Sequence, residues 1–343
     1  MVSSGILHKR IDKKRGKKSV ARKNAASALL KMPVELIRDI SDNLSTVDKV
    51  IFATTCRPMR NTLGLTNIPD AAPELEKDKF EYLARMCRDK PGKWVCEECM
   101  RCHSIDASDT PASPHLVCPV GVLDHGRFNQ SLRLIVRQEY RLGRRHVQLA
   151  LKYTRLGSNL SRSHRHYLSR LMAPRQYSYS HLWGNAPVNN GIKIAPRVVD
   201  GRFLLKSIFE YRRAARPMPR EILDHDFVCQ HQSVFPEHDQ DWTSDPLLQN
   251  SLSLHRTVGE AFETPGQEVQ SHCPFCFTDF SVKASAKSIR ISVWQDLGTE
   301  SSPLDPVWLT FVHNPILNPH AQDVTNEEPG RVRELYEGEH EDD

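Results

Sequence analysis

The chain has 343 residues, 39% of them hydrophobic and 26% charged, with a formal net charge of +5. This length suffices for two or three structural units with a real core, and the polarity describes a water-soluble protein with charged ends. No apolar run approaches the ~18 residues of a membrane span, and the opening residues MVSSGILHKRIDKKRGKK meet charge before any apolar stretch, so no secretory signal is expected. The nine cysteines are therefore expected to stay reduced, without disulfides, and Cys/His clusters in such a setting point to zinc.

Residues 1–27 read as a disordered basic tail, dense in Lys and Arg from His8 to Lys23. A block of that kind serves nuclear import, contacts nucleic acid, or is simply solvated. Residues 28–64 read as three short helices. Pro33 suits a first helical turn and Glu35 its positive end. Leu36, Ile37, Ile40 and Leu44 then recur at helical spacing. Ser45 can cap the second helix, with Asp48 three residues on, and Val47, Val50, Ile51 and Thr54 share a side. Pro58 opens the third, which carries Met59 and Leu63. Residues 65–92 form a polar helical linker with Phe80, Leu83 and Cys87 in one stripe.

Residues 93–320 read as a mixed, strand-rich α+β domain. HVQLALKY places Val147, Leu149, Leu151 and Tyr153 at period two, which predicts a strand. GRFLLKSIFEY (residues 201–211), SIRISVW (288–294) and PVWLTFV (306–312) predict three more. SHRHYLSRLMAP predicts a short helix stopped by Pro174. The stretch from Trp183 to Lys193 reads as a turn-rich loop, and 232–268 as a long polar insertion. Residues 321–343 are expected to be an acidic, solvated tail. There is no internal repeat.

Two Cys/His constellations carry the chemistry. Cys96 and Cys99 form a C-x2-C knuckle, His103 follows four residues later, and Cys118 would complete a Cys3His tetrahedron. Cys102 is a spare thiol that could replace His103. Cys229, His231, Cys273 and Cys276 would close a second Cys3His centre across more than forty residues of chain, with His272 and His238 as alternative nitrogen donors. Four protein ligands saturate zinc, so both centres read as structural staples rather than catalytic sites with a water position. No HExxH helix accompanies them, and WVCEECMRC does not look like the strand-to-helix turn of a redox CxxC. There is no phosphate loop, no GxSxG elbow and no kinase set. Arg141, Arg144, Arg145, Lys152, Arg155, Arg162, Arg165 and Arg170, interleaved with Tyr140, Tyr153 and Tyr167, suggest either a solvated basic face or a weak single-strand-binding surface.

The stretch LLKMPVELIRDISDNLSTVDKVIFATTCRPMRNTL resembles an F-box. Met32-Pro33 stands where the usual Leu-Pro is found, Glu35-Leu36 keeps the acid and the apolar residue, and Thr55-Cys56-Arg57 is intact. The departures are Met32 for leucine, Ile51-Phe52 in the second helix, and the lack of the late tryptophan that some F-boxes carry. The remainder is similar to a group of fungal F-box proteins with a Cys-x2-Cys-x3-His knuckle soon after the F-box, and with stretches like HCPFCFTDF and VWQDLG near the C-terminus. The resemblance implies a non-enzymatic substrate receptor of an SCF-type cullin–RING ubiquitin ligase in the cytoplasm or nucleus. Leu30, Pro33, Glu35, Leu36, Ile37, Ile40, Leu44, Val50, Cys56 and Met59 would bind the Skp-family linker protein, and the zinc-stapled domain would face a protein target. The rival readings are an internal three-helix cap, a zinc-containing nuclear or nucleic-acid-binding protein, and a metalloenzyme with an open zinc position.

Overall fold

The computed structural model describes residues 28–64, 76–115, 118, 140–183, 186–213, 217–223, 227–234, 253–311, 326 and 328–338. The basic block and His238 lie outside them. The chain divides into two compact units, Met1–Tyr82 and Leu83–Asp343.

The first unit holds α1 (Val34–Asp42), α2 (Thr46–Thr55) and α3 (Arg57–Thr62), preceded by a 3-10 turn at Leu29–Lys31. Pro33 is the N-cap of α1. Ser45 caps α2 as its spacing predicts: its Oγ accepts from Asp48 N at 3.1 Å, and its hydroxyl donates back to Asp48 Oδ2 at 2.7 Å. The three helices pack on one another, and Ile37, Val47, Val50, Ala53 and Met59 are buried. Helix α4 (Glu76–Arg88) crosses the boundary between the units.

The second unit is α+β. Its centre is a six-stranded antiparallel sheet built from β3 (Arg175–Trp183), β4 (Ala186–Val199), β5 (Arg202–Arg213), β8 (Glu268–His272), β9 (Thr278–Ala284) and β10 (Ser288–Thr299), in the order β3-β4-β5-β10-β9-β8. Asp200 and Gly201 both take positive φ, 50° and 71°, the type I′ geometry that matches a two-residue hairpin to strand twist. Strands β4 and β5 alternate across the sheet. Val188, Ile192, Ile194, Phe203, Leu205, Phe209 and Tyr211 line one face and join the main core. Helices α5 (Arg144–Leu156), α7 (Ser253–Glu263) and α8 (Pro306–Leu309) pack on strands β4–β5, β8–β9 and β10 respectively. Helix α6 (Arg162–Leu171) packs on α5. Two small hairpins, β1–β2 (Lys93–Cys96 and Arg101–Ser104) and β6–β7 (Phe227–Cys229 and Gln232–Ser233), carry Cys96, Cys99 and His103, and Cys229 and His231, respectively.

Several expectations fail here for identifiable reasons. HVQLALKY is helical. Val147, Ala150 and Leu151 enter the sheet core while Leu149 and Tyr153 enter a second core with Trp94 and Tyr167. A helix buried on two sides loses its 3.6 period and mimics alternation. PVWLTFV opens α8 instead of a strand, because Asp305 caps it by accepting from Trp308 N. Of the loop expected from Trp183 to Lys193, Trp183 ends β3 and residues 186–193 belong to β4, its antiparallel partner, and α7 stands within the expected insertion. The acidic tail contains α9 (Arg331–Glu337), whose Val332 and Tyr336 are buried. Finally, Cys87 and Cys102 form a disulfide. Cys102 lies beside His103 on β2, and neighbouring strand residues point to opposite faces, so Cys102 turns away from the knuckle centre. Among the described residues no helix is long and apolar enough to cross a membrane.

Candidate metal centres

The first centre is assembled by a hairpin and its following loop. Cys96 ends β1, Cys99 sits in the tight turn after it, His103 lies on β2, and Cys118 arrives from the chain beyond. Met100 closes that turn at φ 51°. One donor atom from each ligand lies within 4.8 Å of all the others, and Cys99 Sγ stands 3.0 Å from His103 Nε2. A tetrahedral zinc with Zn–S of ~2.3 Å places its donors roughly 3.5–4 Å apart, so the set fits. Trp94 is the register partner of His103 across the hairpin, and its ring packs against the imidazole with centroids 5.1 Å apart. Burial raises the thiol pKa of Cys96 and Cys99 and lowers that of His103, to which Lys93 and Arg101 add. A neutral imidazole is the ligating form. A divalent cation would supply the charge that lets the thiols ionise.

The second centre joins two knuckles distant in sequence. Cys229 ends β6 and His231 stands in the β6–β7 turn, while Cys273 and Cys276 flank the turn between β8 and β9. Their donor atoms also lie within 4.8 Å of one another, and all three cysteines are buried. The turn is held by Cys273 N donating to Thr278 O at 2.8 Å and Thr278 N donating to Cys276 O at 2.7 Å. Phe275 N and Gln232 Nε2 aim at Cys273 Sγ, at 3.4 and 3.9 Å. Burial pushes Cys229 and Cys276 far above the ordinary thiol range. Burial would raise Cys273 too, but hydrogen bonds from Cys229, Cys276 and His231 pull it well below. His272 is not among the clustered ligands.

A buried polar network backs the first centre, and sequence reasoning missed it. Asp109 is gripped by Arg145 through both oxygens, at 2.6 and 3.0 Å, and lies 3.3 Å from His146 Nε2. Burial alone would raise the Asp109 carboxyl; Arg145 and His146 hold it far below the carboxylate range instead. Tyr167 donates to the Asp109 carbonyl at 2.6 Å. A small cavity against the knuckle is lined by Glu97, Glu98, His115, Arg144 and Arg145. Burial pushes Glu97 up to about 7.

The interleaved basic and aromatic residues are mostly consumed inside the fold. Arg144 is 1% exposed and donates to Leu297 O, Thr299 O, Ser301 Oγ and Ser302 O. Lys152 Nζ caps carbonyls of Cys87, Lys90 and Lys93. Arg155 pairs with Glu300 and Asp89. Tyr140, Tyr153 and Tyr167 are buried. The aromatic members of the run and Arg144 and Lys152 are thus inside the fold, while Arg141, Arg162 and Arg165 remain exposed.

Of the ten partner-binding candidates, Ile37, Val50 and Met59 are buried, whereas Leu36 is 47% and Ile40 40% exposed, one turn apart on α1. Pro33 and Glu35 are exposed, and Leu30, Leu44 and Cys56 are half-buried. Val34, outside the sequence-based set, is 37% exposed beside them.

Compared with family models, with curated proteins and with solved structures, the chain gives no match in any of the three. The two Cys/His groups thus define it, on its own geometry, as an α+β protein with two centres able to hold metal.

Proposed function

We propose that the chain is a non-enzymatic F-box adaptor of an SCF-type ubiquitin ligase, whose N-terminal helices dock on a Skp-family linker and whose second unit, stapled by two structural zinc ions, receives a protein target. The carrying observation is the division of labour within the three helices. Ile37, Val47, Val50, Ala53 and Met59 are buried, while Leu36 and Ile40 stay exposed on α1. A soluble helix that keeps two large aliphatic residues in water one turn apart gains by covering them, at ~25 cal/mol per Å² of apolar area. The saturated Cys3His sets favour stapling over catalysis, since each offers four protein donors and no position for substrate.

The test is co-purification of the full chain with a Skp-family linker at low and high salt, beside titration with a labelled single-stranded oligonucleotide. Docking through aliphatic side chains predicts capture that survives high salt. A nucleic-acid protein would instead bind the oligonucleotide with a steep salt dependence from counterion release and ignore the linker. The nucleic-acid reading retains Arg162, Arg165 and His166, exposed on α6.

A further inference from the structure

We propose that the outer face of the sheet around Trp294 is a recognition site for a short helix of a protein partner, one that carries an aromatic residue followed by an acid, and that α9 occupies this site as an internal competitor. The inference stands apart from the docking of α1.

Helix α9 has seven residues and buries only Val332 and Tyr336 fully. A helix so short does not persist alone in water, so the sheet imposes its shape. The floor is Val199, Leu204 and Trp294, all buried. Around it every reading group belongs to the sheet. Ala195 O accepts from the Tyr336 hydroxyl at 3.1 Å. Arg197 lies over the Tyr336 ring at 5.3 Å and donates to its carbonyl at 2.6 Å. Lys206 Nζ, at 2.6 Å, and Trp294 Nε1, at 3.1 Å, both donate to Glu337 Oε1. Asp279 accepts from the backbone N–H groups of Gly330 and Arg333, which fixes where the helix starts.

The face thus reads a pattern: an apolar residue, an aromatic hydroxyl four positions later, and a carboxylate next to it. The sheet's Arg197 and Lys206 face the helix's Tyr336 carbonyl and Glu337, and the helix's Arg333 lies over the Trp294 ring at 4.6 Å and pairs with Glu268 of β8 at 3.0 Å, so the charges are complementary in both directions. The ion pair between Lys206 and Glu337 is partly exposed, at 24% and 37%, and pairs of this kind are weak and screened by salt. Beyond its two buried side chains, α9 is held by hydrogen bonds and ion pairs to the sheet, which a partner helix of the same pattern would reproduce. A partner helix with the same pattern and a larger apolar surface would displace it, because tethering gives α9 only a finite effective concentration.

The probe is a labelled synthetic peptide of residues 328–343, titrated against the full chain by fluorescence anisotropy. Tyr336→Ala with Glu337→Ala removes the internal helix, and this variant should bind the peptide at least ~10-fold more tightly than wild type. Adding Lys206→Glu should abolish that gain. A variant that folds and binds no better than wild type overturns the proposal. Amide exchange on the 15N-labelled wild-type chain gives a second reading that needs no mutation. Exchange in α9 should be faster than in β10, and faster still with excess unlabelled peptide. Protection in α9 equal to that of β10, and unmoved by peptide, would make α9 a fixed part of the core and overturn the idea.

Discussion

Metal ligation places the narrowest demand on single residues. Cys276 is buried with its Sγ beside Cys229, His231 and Cys273, so Cys276→Ser should remove about one equivalent of zinc from the purified chain. Cys102, turned toward Cys87, supplies no donor to either centre. Cys102→Ser should leave zinc content unchanged, which elemental analysis of both proteins checks. Asp109 sets an acid limit. Its folded pKa lies below the unfolded value of about 3.9, so the stability it contributes is present above that pH and is lost as pH falls toward the lower, folded value. Asp109→Asn leaves Arg145 without its buried partner and should cost about 3–5 kcal/mol at neutral pH. Urea titrations at a series of pH values should also show a shallower acid decline for the variant. The knuckle cysteines were legible because their spacing is local. Asp109 and Arg145 were not, because a charged pair 36 residues apart has no local signature.

At the scale of elements, legibility followed periodicity and failed where burial or composition hid it. Strands β5 and β10 and helices α1, α2, α3, α4 and α6 announce themselves by period or by caps. Helix α5 does not, because it is wrapped on two sides. Strand β4 contains Pro187, Asn189, Asn190, Gly191 and Pro196, all loop-like residues, yet Ala186, Val188, Ile192 and Ile194 are buried in strict alternation. The Asp200-Gly201 turn was the signal that could have identified its hairpin. Helix α5 also anchors the end of α4 through Lys152, whose ammonium serves three carbonyls. Lys152→Met removes this donor, leaving Cys87 O and Lys90 O only the N–H groups of Lys90 and Lys93, and should lower stability by about 1–3 kcal/mol, read by chemical denaturation. Strand β10 bends at Gly298, φ 89°, where an added Cβ would meet Asp305 Oδ1 at 2.8 Å. Asp305 is also the cap of α8. Gly298→Ala should destabilise the fold more than an exposed Gly64→Ala, a difference thermal unfolding resolves.

At the scale of the whole molecule, metal at the two Cys/His centres would add cross-links to the core of the second unit. A metal ion held at the second centre would tie β6–β7 to the β8–β9 turn over more than forty residues of chain, and closing a long loop removes more unfolded-state entropy than closing a short one. Chelation should therefore lower the unfolding temperature of the second unit while leaving the helical signal of residues 28–64 in place, which calorimetry with and without chelator can resolve. The three helices, by contrast, leave two large aliphatic side chains, Leu36 and Ile40, exposed one turn apart. The decisive measurement is titration calorimetry of a purified Skp-family linker into the full chain and into its Leu36→Asp, Ile40→Asp variant, with zinc content matched. The adaptor account predicts a tight, saturable complex with wild type and at least a ~100-fold loss in the variant, since each buried aliphatic replaced by a charge costs several kcal/mol. Equal binding by both proteins, or no heat with a well-folded wild-type chain, would contradict it.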